Sequence, residues 1–347
     1  MKRHLLFLAA LLIVNLAASA QKKFSVYAVG FYNQENLFDT CHDEGKKDYE
    51  YLPNKGWNGM KYTNKLRNMS KALADMGTDV LPNVGCAFIG VSEVENHKVL
   101  DALVDQAPLK ARNMKYVHIE GPDRRGIDCA LLYNPSLFSV KNVKLLPYVQ
   151  ELAKDSAFFT RGFLTVRGEM AGDDVAVIVC HWPSRFSGPF YRESAARQVK
   201  VIKDSLQNVN QEMKIFVMGD MNDDPVNKSM HVYLQAKPEI SQVGAGDMYN
   251  PWYNVLAKEG KGTLFYSGNW NLFDQIVITP NLLNKDAKKK DYSSLKYWKS
   301  HIFRRDYLIQ QEGQYKGAPL RTTAGGRWLN GYSDHLPVVM YLVKEKK

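Results

Sequence analysis

The chain has 347 residues, of which 45% are hydrophobic, 24% are charged and 12% are aromatic. These proportions are those of globular domains, and they exclude a disordered, collagen-like or coiled-coil protein. Lysine and arginine number 46 against 36 aspartate and glutamate residues, a net charge of +10, which favours anionic partners such as nucleic acid, phosphorylated small molecules or acidic lipid headgroups.

The first twenty residues have the pattern of a secretory signal peptide. Lys2 and Arg3 precede an apolar run that ends in Ala18-Ser19-Ala20. This run is shorter than the roughly 20 residues that a membrane-spanning helix needs, so we expect cleavage after Ala20. The prediction is an exported protein, periplasmic or secreted, with no stable membrane insertion. It would keep 44 basic against 36 acidic residues, a net charge of +8.

Short apolar runs that are rich in β-branched residues predict buried strands along the chain. In chain order, they cover residues 24–31, 87–91, 130–133, 175–180, 215–218, 273–278 and 338–343. Apolar residues at three- and four-residue steps predict helices between some of them, most clearly over residues 62–76 and more briefly over 97–105.

A further helix is expected over residues 192–206. Its apolar side chains recur at helical spacing on one face. The opposite face is expected to turn four basic residues towards water, namely Arg192, Arg197, Lys200 and Lys203.

Strands outnumber helices, and several pairs of strands have no helix between them. This pattern favours an α/β (α+β) sandwich of sheets flanked by helices over a strictly alternating parallel sheet. No repeat, low-complexity tract or flexible linker interrupts the sequence, so we predict a single domain over residues 24–344. The least regular segment is 284–331, and long irregular segments in compact domains are commonly functional or mobile.

The four cysteines, Cys41, Cys86, Cys129 and Cys180, do not have the spacing of a zinc site. Cys129 and Cys180 lie in predicted strands and are expected to be buried. For Cys41 and Cys86, a disulfide in an oxidising compartment and two free thiols both stay open.

Polar residues that can bind a metal ion or a phosphate follow several predicted strands. Asn33 and Glu35 leave the first strand two positions apart and can face the same side, although Asn33 and Asn36 are also common turn formers. Glu93 follows the second strand, where a carboxylate can bind Mg²⁺. Alternatively, it simply begins the next helix, whose dipole favours negative charge.

The fourth and fifth predicted strands also end in polar residues. His181 is followed by Arg185, whose planar fork of donors suits a phosphate, although a lone histidine is more often an ordinary hydrogen-bonded residue. Asp220 and Asn222 leave the fifth strand two residues apart, so a carboxylate and an amide can project together to orient a water molecule and a phosphate. Gly219 permits the close approach of a ligand. The alternative is a surface turn.

Asp274 lies inside the predicted strand 273–278, and Asp334 and His335 precede the last strand. An acid inside an apolar strand is unfavourable unless it has a partner. His335 is a natural partner, because a carboxylate fixes the tautomer of an imidazole and stabilises its protonated form. The alternative is an Asp274 side chain that points to solvent.

In this order along the chain, the segments resemble the endonuclease/exonuclease/phosphatase superfamily, which includes pancreatic deoxyribonuclease, apurinic endonucleases, neutral sphingomyelinases and inositol polyphosphate phosphatases. The resemblance rests on Gly219-Asp220-Met221-Asn222 and Ser333-Asp334-His335, supported by Asn33, Glu35, Glu93, His181 and Asp274.

The resemblance implies a four-layered α/β/β/α sandwich of two packed β-sheets flanked by helices, with a site at one end of the sheets. It also implies hydrolysis of a phosphate ester by in-line attack of water with Mg²⁺ or Mn²⁺ as cofactor. A nuclease or phosphodiesterase that acts on DNA or RNA is expected first. The alternatives are a phosphomonoesterase, a sphingomyelinase-like phospholipid-headgroup hydrolase and a non-catalytic binding protein. No partner protein is evident, and a monomer is expected.

The resemblance further implies roles at the metal and the attacking water. Glu93 would be the principal metal ligand, with Glu35 and Asp334 nearby, directly or through water. Asp220 would orient or deprotonate the attacking water.

Other matching residues would contact the phosphate. Asn33 and Asn222 would hold phosphate oxygens. His335, oriented by Asp274, would stabilise the charge that develops on the phosphoryl group. His181 would contact the phosphate or assist the leaving group.

Residues 285–306 contain eight lysine or arginine residues and three aspartates, a net charge of +5, interleaved with aromatic residues. Such a segment can bind nucleic acid, because cations neutralise phosphates and exposed rings stack on bases. A solvated loop whose rings pack on the domain is the alternative. The pairs Trp252-Tyr253 and Tyr297-Trp298 are faint candidates for a membrane-contacting hairpin.

Overall fold

The structure is a computed structural model that describes residues 23–152, 158–286 and 288–346, so the predicted signal peptide lies outside the described residues. The strands are β1 (Phe24–Leu37), β2 (Cys86–Val94), β3 (Lys115–His118), β4 (Asp128–Tyr133), β5 (Phe138–Leu146), β6 (Phe163–Met170), β7 (Asp173–His181), β8 (Lys214–Asp220), β9 (Ala236–Lys237), β10 (Met248–Tyr249), β11 (Leu264–Tyr266), β12 (Asn269–Asn271), β13 (Asp274–Ile278), β14 (Lys296–Ile302), β15 (Thr323–Ala324), β16 (Arg327–Trp328) and β17 (Val338–Glu345). The α-helices are α1 (Gly59–Asp75), α2 (His97–Val104), α3 (Ala107–Ala111), α4 (Pro189–Val209) and α5 (Trp252–Ala257).

Two large β-sheets pack face to face. The first has six strands in the order β14-β17-β1-β2-β4-β3, and the second has seven in the order β5-β6-β7-β8-β13-β10-β9. Successive side chains of a strand point to opposite faces, so alternate apolar residues of both sheets meet in one core. The central residues of this core are fully buried and include Phe31, Phe88, Val177, Phe216 and Met218.

Helices cover the outer face of each sheet. α1 packs Leu66 and Met69 against residues such as Ile89 in the first sheet. α4 packs Val199 against residues such as Ile178 in the second sheet. The layers therefore follow the order helix, sheet, sheet, helix, and the predicted four-layered α/β/β/α sandwich is confirmed.

The predicted helices are present as α1, α2 and α4, and local sequence explains where two of them begin. The side chain of Asn58 accepts a hydrogen bond from the backbone N–H of Lys61 and caps α1. Asn96 caps α2 in the same way, by accepting from the N–H groups of Lys98 and Val99. Each cap satisfies backbone donors that have no partner inside the helix.

The polar face of α4 departs from the prediction. Arg192 and Lys203 are buried, whereas Arg197 is partly exposed. Arg192 forms an ion pair with buried Asp223, at 2.8 Å between Nε and Oδ1, and Lys203 donates to the carbonyl of Gly246 at 3.0 Å. The prediction that both basic side chains face water is wrong, because loops from other parts of the chain cover that face.

All four cysteines are free in the structure. Cys86, Cys129 and Cys180 are buried, as predicted for the latter two, and Cys41 is exposed. Burial raises the pKa of the Cys86 thiol, which packs at the end of α1. Of the two alternatives for Cys41 and Cys86, the structure therefore contains the free thiols.

The aromatic pairs named for membrane contact have different environments. Trp252 is fully buried and donates its indole N–H to the carbonyl of Ile276 at 2.9 Å. Tyr297 packs edge-on against Tyr249, while Trp298 is half-exposed on the edge strand β14. Trp252 is thus a core residue and not part of an exposed hairpin. Among the described residues, helices that combine the length and the apolarity needed to cross a bilayer are absent.

Candidate active site

Three neighbouring strands bring three of the predicted residues side by side. β7 runs parallel to β8 and places His181 opposite Asp220, while β13 runs antiparallel to β8 and places Asp274 opposite the same Asp220. All three side chains are buried. The register of the second sheet therefore assembles a histidine and two acids that are up to 93 positions apart in the printed sequence.

The first sheet contributes an amide that joins two acids. Nδ2 of Asn33 lies 3.0 Å from Oδ2 of Asp220 and 3.3 Å from Oε1 of Glu93. Asn33 pairs in register with Ser92, the residue before Glu93, so β1 and β2 deliver both side chains to the same end of the sheet. The predicted neighbourhood of Asn33, Glu93 and Asp220 is thus present in the structure.

Several residues of the site have left-handed backbone conformations. Glu35, Asn36, Glu93 and Asn222 have φ angles of 44°, 55°, 59° and 48°, values that non-glycine residues seldom adopt. Such strain costs of order 1–3 kcal/mol per residue and clusters at functional sites. The left-handed conformation of Glu35 also interrupts the alternation of side chains along β1. The Glu35 carboxylate therefore accepts the backbone N–H of Thr322 at 2.6 Å, and it does not share the partners of Asn33.

His335 forms a buried pair with Asp274, at 2.7 Å between Nδ1 and Oδ2. Burial disfavours the charged imidazole, but the carboxylates of Asp274 and Asp220 outweigh it and hold the pKa of His335 well above its usual value. Nε2 of His335 faces Oδ2 of Asp220 at 3.8 Å. The ring is therefore an imidazolium at neutral pH, and Asp274 does not point to solvent.

His181 has the opposite protonation preference. Burial lowers its pKa well below the usual value, and the charges of Arg161, Arg125 and His335 lower it further. Its Nε2 lies 3.7 Å from both Oε1 of Glu93 and Oδ2 of Asp220. The site thus holds one neutral and one charged histidine, as is typical of centres with separate acid and base functions.

Asp220 is placed to accept a proton. Burial raises its pKa to about 6, against the charge of His335, which lowers it. The carboxylate is therefore ionised at neutral pH and yet basic enough to deprotonate water. Its Oδ1 accepts the backbone N–H of Asn222 at 2.9 Å, and the Asn222 amide donates to the carbonyl of Trp182.

The donor atoms fit a divalent cation, but in a different grouping from the predicted one. Ligand atoms of Glu93, His181 and Asp220 all lie within 4.8 Å of one another, and carboxylate oxygens are the donors that Mg²⁺ and Mn²⁺ prefer. In the part of the chain that the structure describes, the predicted set of Glu93, Glu35 and Asp334 does not form one such cluster.

Arg185 does not present a free donor fork to a phosphate. Its guanidinium contacts Asp224 at 2.8 Å and Asn271 at 3.0 Å, and it lies over the ring of Phe273 at 4.5 Å from the centroid. Its Nε donates to the carbonyl of Asn222 at 3.2 Å. Arg185 thus holds the loop that follows β8, and its phosphate-binding role stays a prediction.

Three basic residues near the site were missed by the sequence analysis, namely Lys65, Arg161 and Arg321. Lys65 is fully buried in α1. It lies three positions after Tyr62 and four before Met69, on the apolar face of the helix, and this spacing could have indicated its burial from the sequence. Arg161 is also buried and donates to the carbonyl of Trp182 at 2.8 Å. Arg161 and Arg321 lie in irregular segments, where no periodic pattern marks them.

The basic segment 285–306 lies mostly away from the site. In the pairing of β14 with β17, Lys296 lies opposite Val343 and Ile302 opposite Val338, and Val338 is at the site end of β17. The lysines before β14 are therefore at the far end of the sheet. The two alternatives for this segment were rings that stack on bases and rings that pack on the domain. Tyr297, which contacts Tyr249, and the buried Phe303 pack on the domain.

A two-sheet sandwich whose strand ends bear buried acids, amides and an Asp–His pair defines a class of phosphate-ester hydrolases. The model of the Endonuclease/Exonuclease/phosphatase family matches residues 28–344, and the chain belongs to that family. The resemblance inferred from the sequence motifs is confirmed. Comparison with curated proteins finds no match.

Solved structures with the same fold act on different substrates, according to their names. D. rerio TDP2, complexed with single strand DNA product, has a TM-score of 0.53 at 11% identity, over 92% of this chain and 99% of that one. The mannosyl-6-phosphatase of Bacteroides thetaiotaomicron has a TM-score of 0.53 at 14% identity, over 91% and 99%. At such low identity these similarities show the fold alone.

Proposed function

We propose that the protein is an exported, divalent-metal-dependent phosphoesterase, most simply a nuclease or phosphodiesterase, that hydrolyses its substrate by in-line attack of water. The observation that carries this proposal is the cluster at one end of the two sheets, where the amide of Asn33 joins Glu93 to Asp220 and the His335–Asp274 pair lies beside Asp220. These residue types can activate water, neutralise phosphate charge and hold a metal ion together.

Each residue has a chemical task in the proposed reaction. Asp220 orients the attacking water and accepts its proton. The imidazolium of His335 stabilises charge on the phosphoryl oxygens, and the amides of Asn33 and Asn222 hold those oxygens. A bound Mg²⁺ or Mn²⁺, with Glu93 as its principal ligand, would neutralise charge and position the substrate.

A groove beside the site supports a nucleic-acid strand as the substrate. A cleft of about 800 Å³ extends from Asp334 and is lined by the exposed rings of Tyr266 and Tyr315. It shares Tyr315 with a cleft of about 540 Å³, whose lining includes Arg304 and Lys316. Exposed rings can stack on bases, and cations can neutralise the phosphates between them.

A phosphomonoester of a ring-shaped alcohol is the second candidate. A separate pocket of about 240 Å³ adjoins Glu35 and is lined by Tyr51, Trp57 and Trp328. This volume and these aromatic walls suit a single sugar or base ring.

Removal of metal tests the proposal. We expect hydrolysis of a single-stranded oligonucleotide, plasmid DNA, RNA or sugar phosphates with added Mg²⁺ or Mn²⁺, and loss of at least 95% of it in excess EDTA, because the charge of Glu93 and Asp220 then faces the phosphate. Excess Mg²⁺ should restore the rate. Hydrolysis that EDTA leaves unchanged, or no hydrolysis of any substrate in the panel, would contradict the proposal.

Export is proposed from the pattern of residues 1–20. N-terminal sequencing of the protein recovered from outside the cytoplasm should begin at Gln21. A recovered chain that begins at Met1 would show that the segment is retained.

A further inference from the structure

One phenyl ring beside the site contributes nothing to the core. Phe186, in the loop between β7 and α4, is fully exposed and has the largest exposed fraction, 101%, among the large apolar side chains of the described ranges. Burial of a phenylalanine side chain is favourable, so a ring that covers no part of its own domain forgoes this gain. A single exposed apolar residue can be incidental, but the rigidity and the position of this loop set Phe186 apart.

The loop that carries Phe186 is fixed at both ends. Buried Arg192 donates from Nη1 to the carbonyl of Ser184 at 2.9 Å and to the carbonyl of Gly188 at 3.0 Å. The backbone N–H of Ser187 also donates to the carbonyl of Ser184, at 3.0 Å. The backbone at Phe186 is therefore held from the interior of the domain, and its ring is presented to solvent from a defined position.

Arg185 joins this loop to two other segments at the site. Its guanidinium contacts Asp224 in the loop after β8 at 2.8 Å and Asn271 at the end of β12 at 3.0 Å. Its Nε donates at 3.2 Å to the carbonyl of Asn222, whose amide holds a phosphate oxygen in the proposed reaction. Phe186 is the next residue along the chain. The exposed ring therefore lies near the expected phosphate position, on the side of Asn222.

The chemistry of the ring suits a nucleobase. A phenyl group has neither a donor nor an acceptor for sugar hydroxyls, but it can stack on the face of any base. A lipid bilayer is the other apolar partner to consider. The second exposed ring near Arg185, that of Tyr266, lines a cleft of about 800 Å³ together with Tyr315. A strand can lie in a cleft, whereas a bilayer contacts convex surface, so the strand is favoured.

We propose that Phe186 is a stacking platform for one nucleobase of the substrate, on the Asn222 side of the reacting phosphate and in addition to the groove at Tyr266 and Tyr315. The proposal rests on the proposed function only for the presence of a nucleic-acid strand at the site. Arg185 is then a positioning residue, because it fixes the platform relative to Asn222. Stacking does not depend on the donors and acceptors of the base, so the platform should accept every base.

Binding of oligonucleotides with and without bases tests the proposal. Phe186→Ala is made in the Asp220→Asn background of the full-length chain, so that the strand stays intact in Mg²⁺. Fluorescence anisotropy gives the Kd for an end-labelled thymidine oligonucleotide and for an abasic one of the same length. Loss of the ring should weaken binding of the thymidine strand about 5- to 150-fold, and that of the abasic strand about twofold or less, because only stacking is lost. An equal effect on both strands, or no effect on either, would overturn the proposal.

Two further variants in the same background separate the ring from the fold. Phe186→Tyr keeps a ring and should bind the thymidine strand within about twofold of the parent. Phe24→Ala removes another exposed phenylalanine, at the end of β1 that pairs with Glu345 and lies far from the site, and should also bind within about twofold. A loss in Phe24→Ala as large as that in Phe186→Ala would contradict a specific role for Phe186. Thermal unfolding of Phe186→Ala should shift by a few degrees at most, since the ring is fully exposed.

Phe186→Trp distinguishes a strand from a bilayer. Relative to the unaltered protein, the added emission should be quenched by the thymidine oligonucleotide and unchanged by vesicles of phosphatidylcholine and phosphatidylglycerol. A blue shift with vesicles and no response to the oligonucleotide would overturn the proposal. If the unaltered protein hydrolyses DNA and Phe186→Ala leaves the Kd unchanged, the platform fails while the proposed function stands. Base-dependent binding at Phe186 without hydrolysis of any substrate would give the reverse result.

Discussion

Replacing Asp220 with asparagine is expected to lower kcat by roughly 10²- to 10⁴-fold. The carboxylate has a pKa raised to about 6, and it lies beside the charged His335, the neutral His181 and the amide of Asn33. Asparagine has the same shape but cannot accept a proton from water. The chemical step should therefore suffer much more than substrate binding, which steady-state kinetics with saturating Mg²⁺ would measure as a lower kcat at a similar KM.

A matched carboxylate at the other end of the same sheet serves as the control. Asp174 lies on β7 and accepts a hydrogen bond from the amide of Asn210 at 3.0 Å. Asp174→Asn should change kcat by less than threefold, since the change is remote from the site. If Asp220→Asn keeps more than a tenth of the activity while both variants are folded, Asp220 is not the proton acceptor.

The largest expected loss of stability comes from Arg192. Replacing it with alanine should lower the free energy of unfolding by about 3–5 kcal/mol, because buried Asp223 then loses its close ion-pair partner. The carbonyls of Ser184 and Gly188 lose a donor in the same change. Urea denaturation at neutral pH measures the difference, as a lower transition midpoint at an unchanged slope.

Arg197 provides the comparison on the same helix. It pairs with Glu151 in a contact where both side chains are about one-third exposed, so Arg197→Ala should cost only about 0.2–1 kcal/mol. A double variant, Arg192→Met with Asp223→Leu, should recover part of the stability because no charge is then left buried. Equal losses for Arg192→Ala and Arg197→Ala would show that the burial of Arg192 contributes little.

Arg192, which was assigned to the exposed face of α4, shows what helical periodicity can and cannot predict. The pattern correctly placed Val199 on the sheet side of the helix, because apolar side chains gain free energy wherever a sheet covers them. It could not show that a distant segment covers Arg192, since Asp223 follows another strand. Helical periodicity predicts which apolar residues are buried. It does not predict which charged residues form a buried ion pair with a distant part of the chain.

The sequence by itself determined the family, the four-layered sandwich and most of the site. Polar residues such as Asp220 and His335 are easily recognised next to apolar strands. Burying a polar side chain costs free energy unless it has a bonding partner, so such residues are uncommon there without a functional or structural role. The registers of β7, β8 and β13, which the structure supplies, then bring His181, Asp220 and Asp274 together.

Only the tertiary structure decided which charges pair with which. Arg321 and Glu35 are 286 positions apart in the chain, and the guanidinium of Arg185 contacts Asp224, which lies in the loop after β8. The left-handed backbone at Glu35 and Glu93 redirects side chains that regular alternation would have aimed elsewhere. These choices depend on how irregular loops fold back over the strand ends. Ion pairing there follows distance and desolvation, which no local pattern in the sequence encodes.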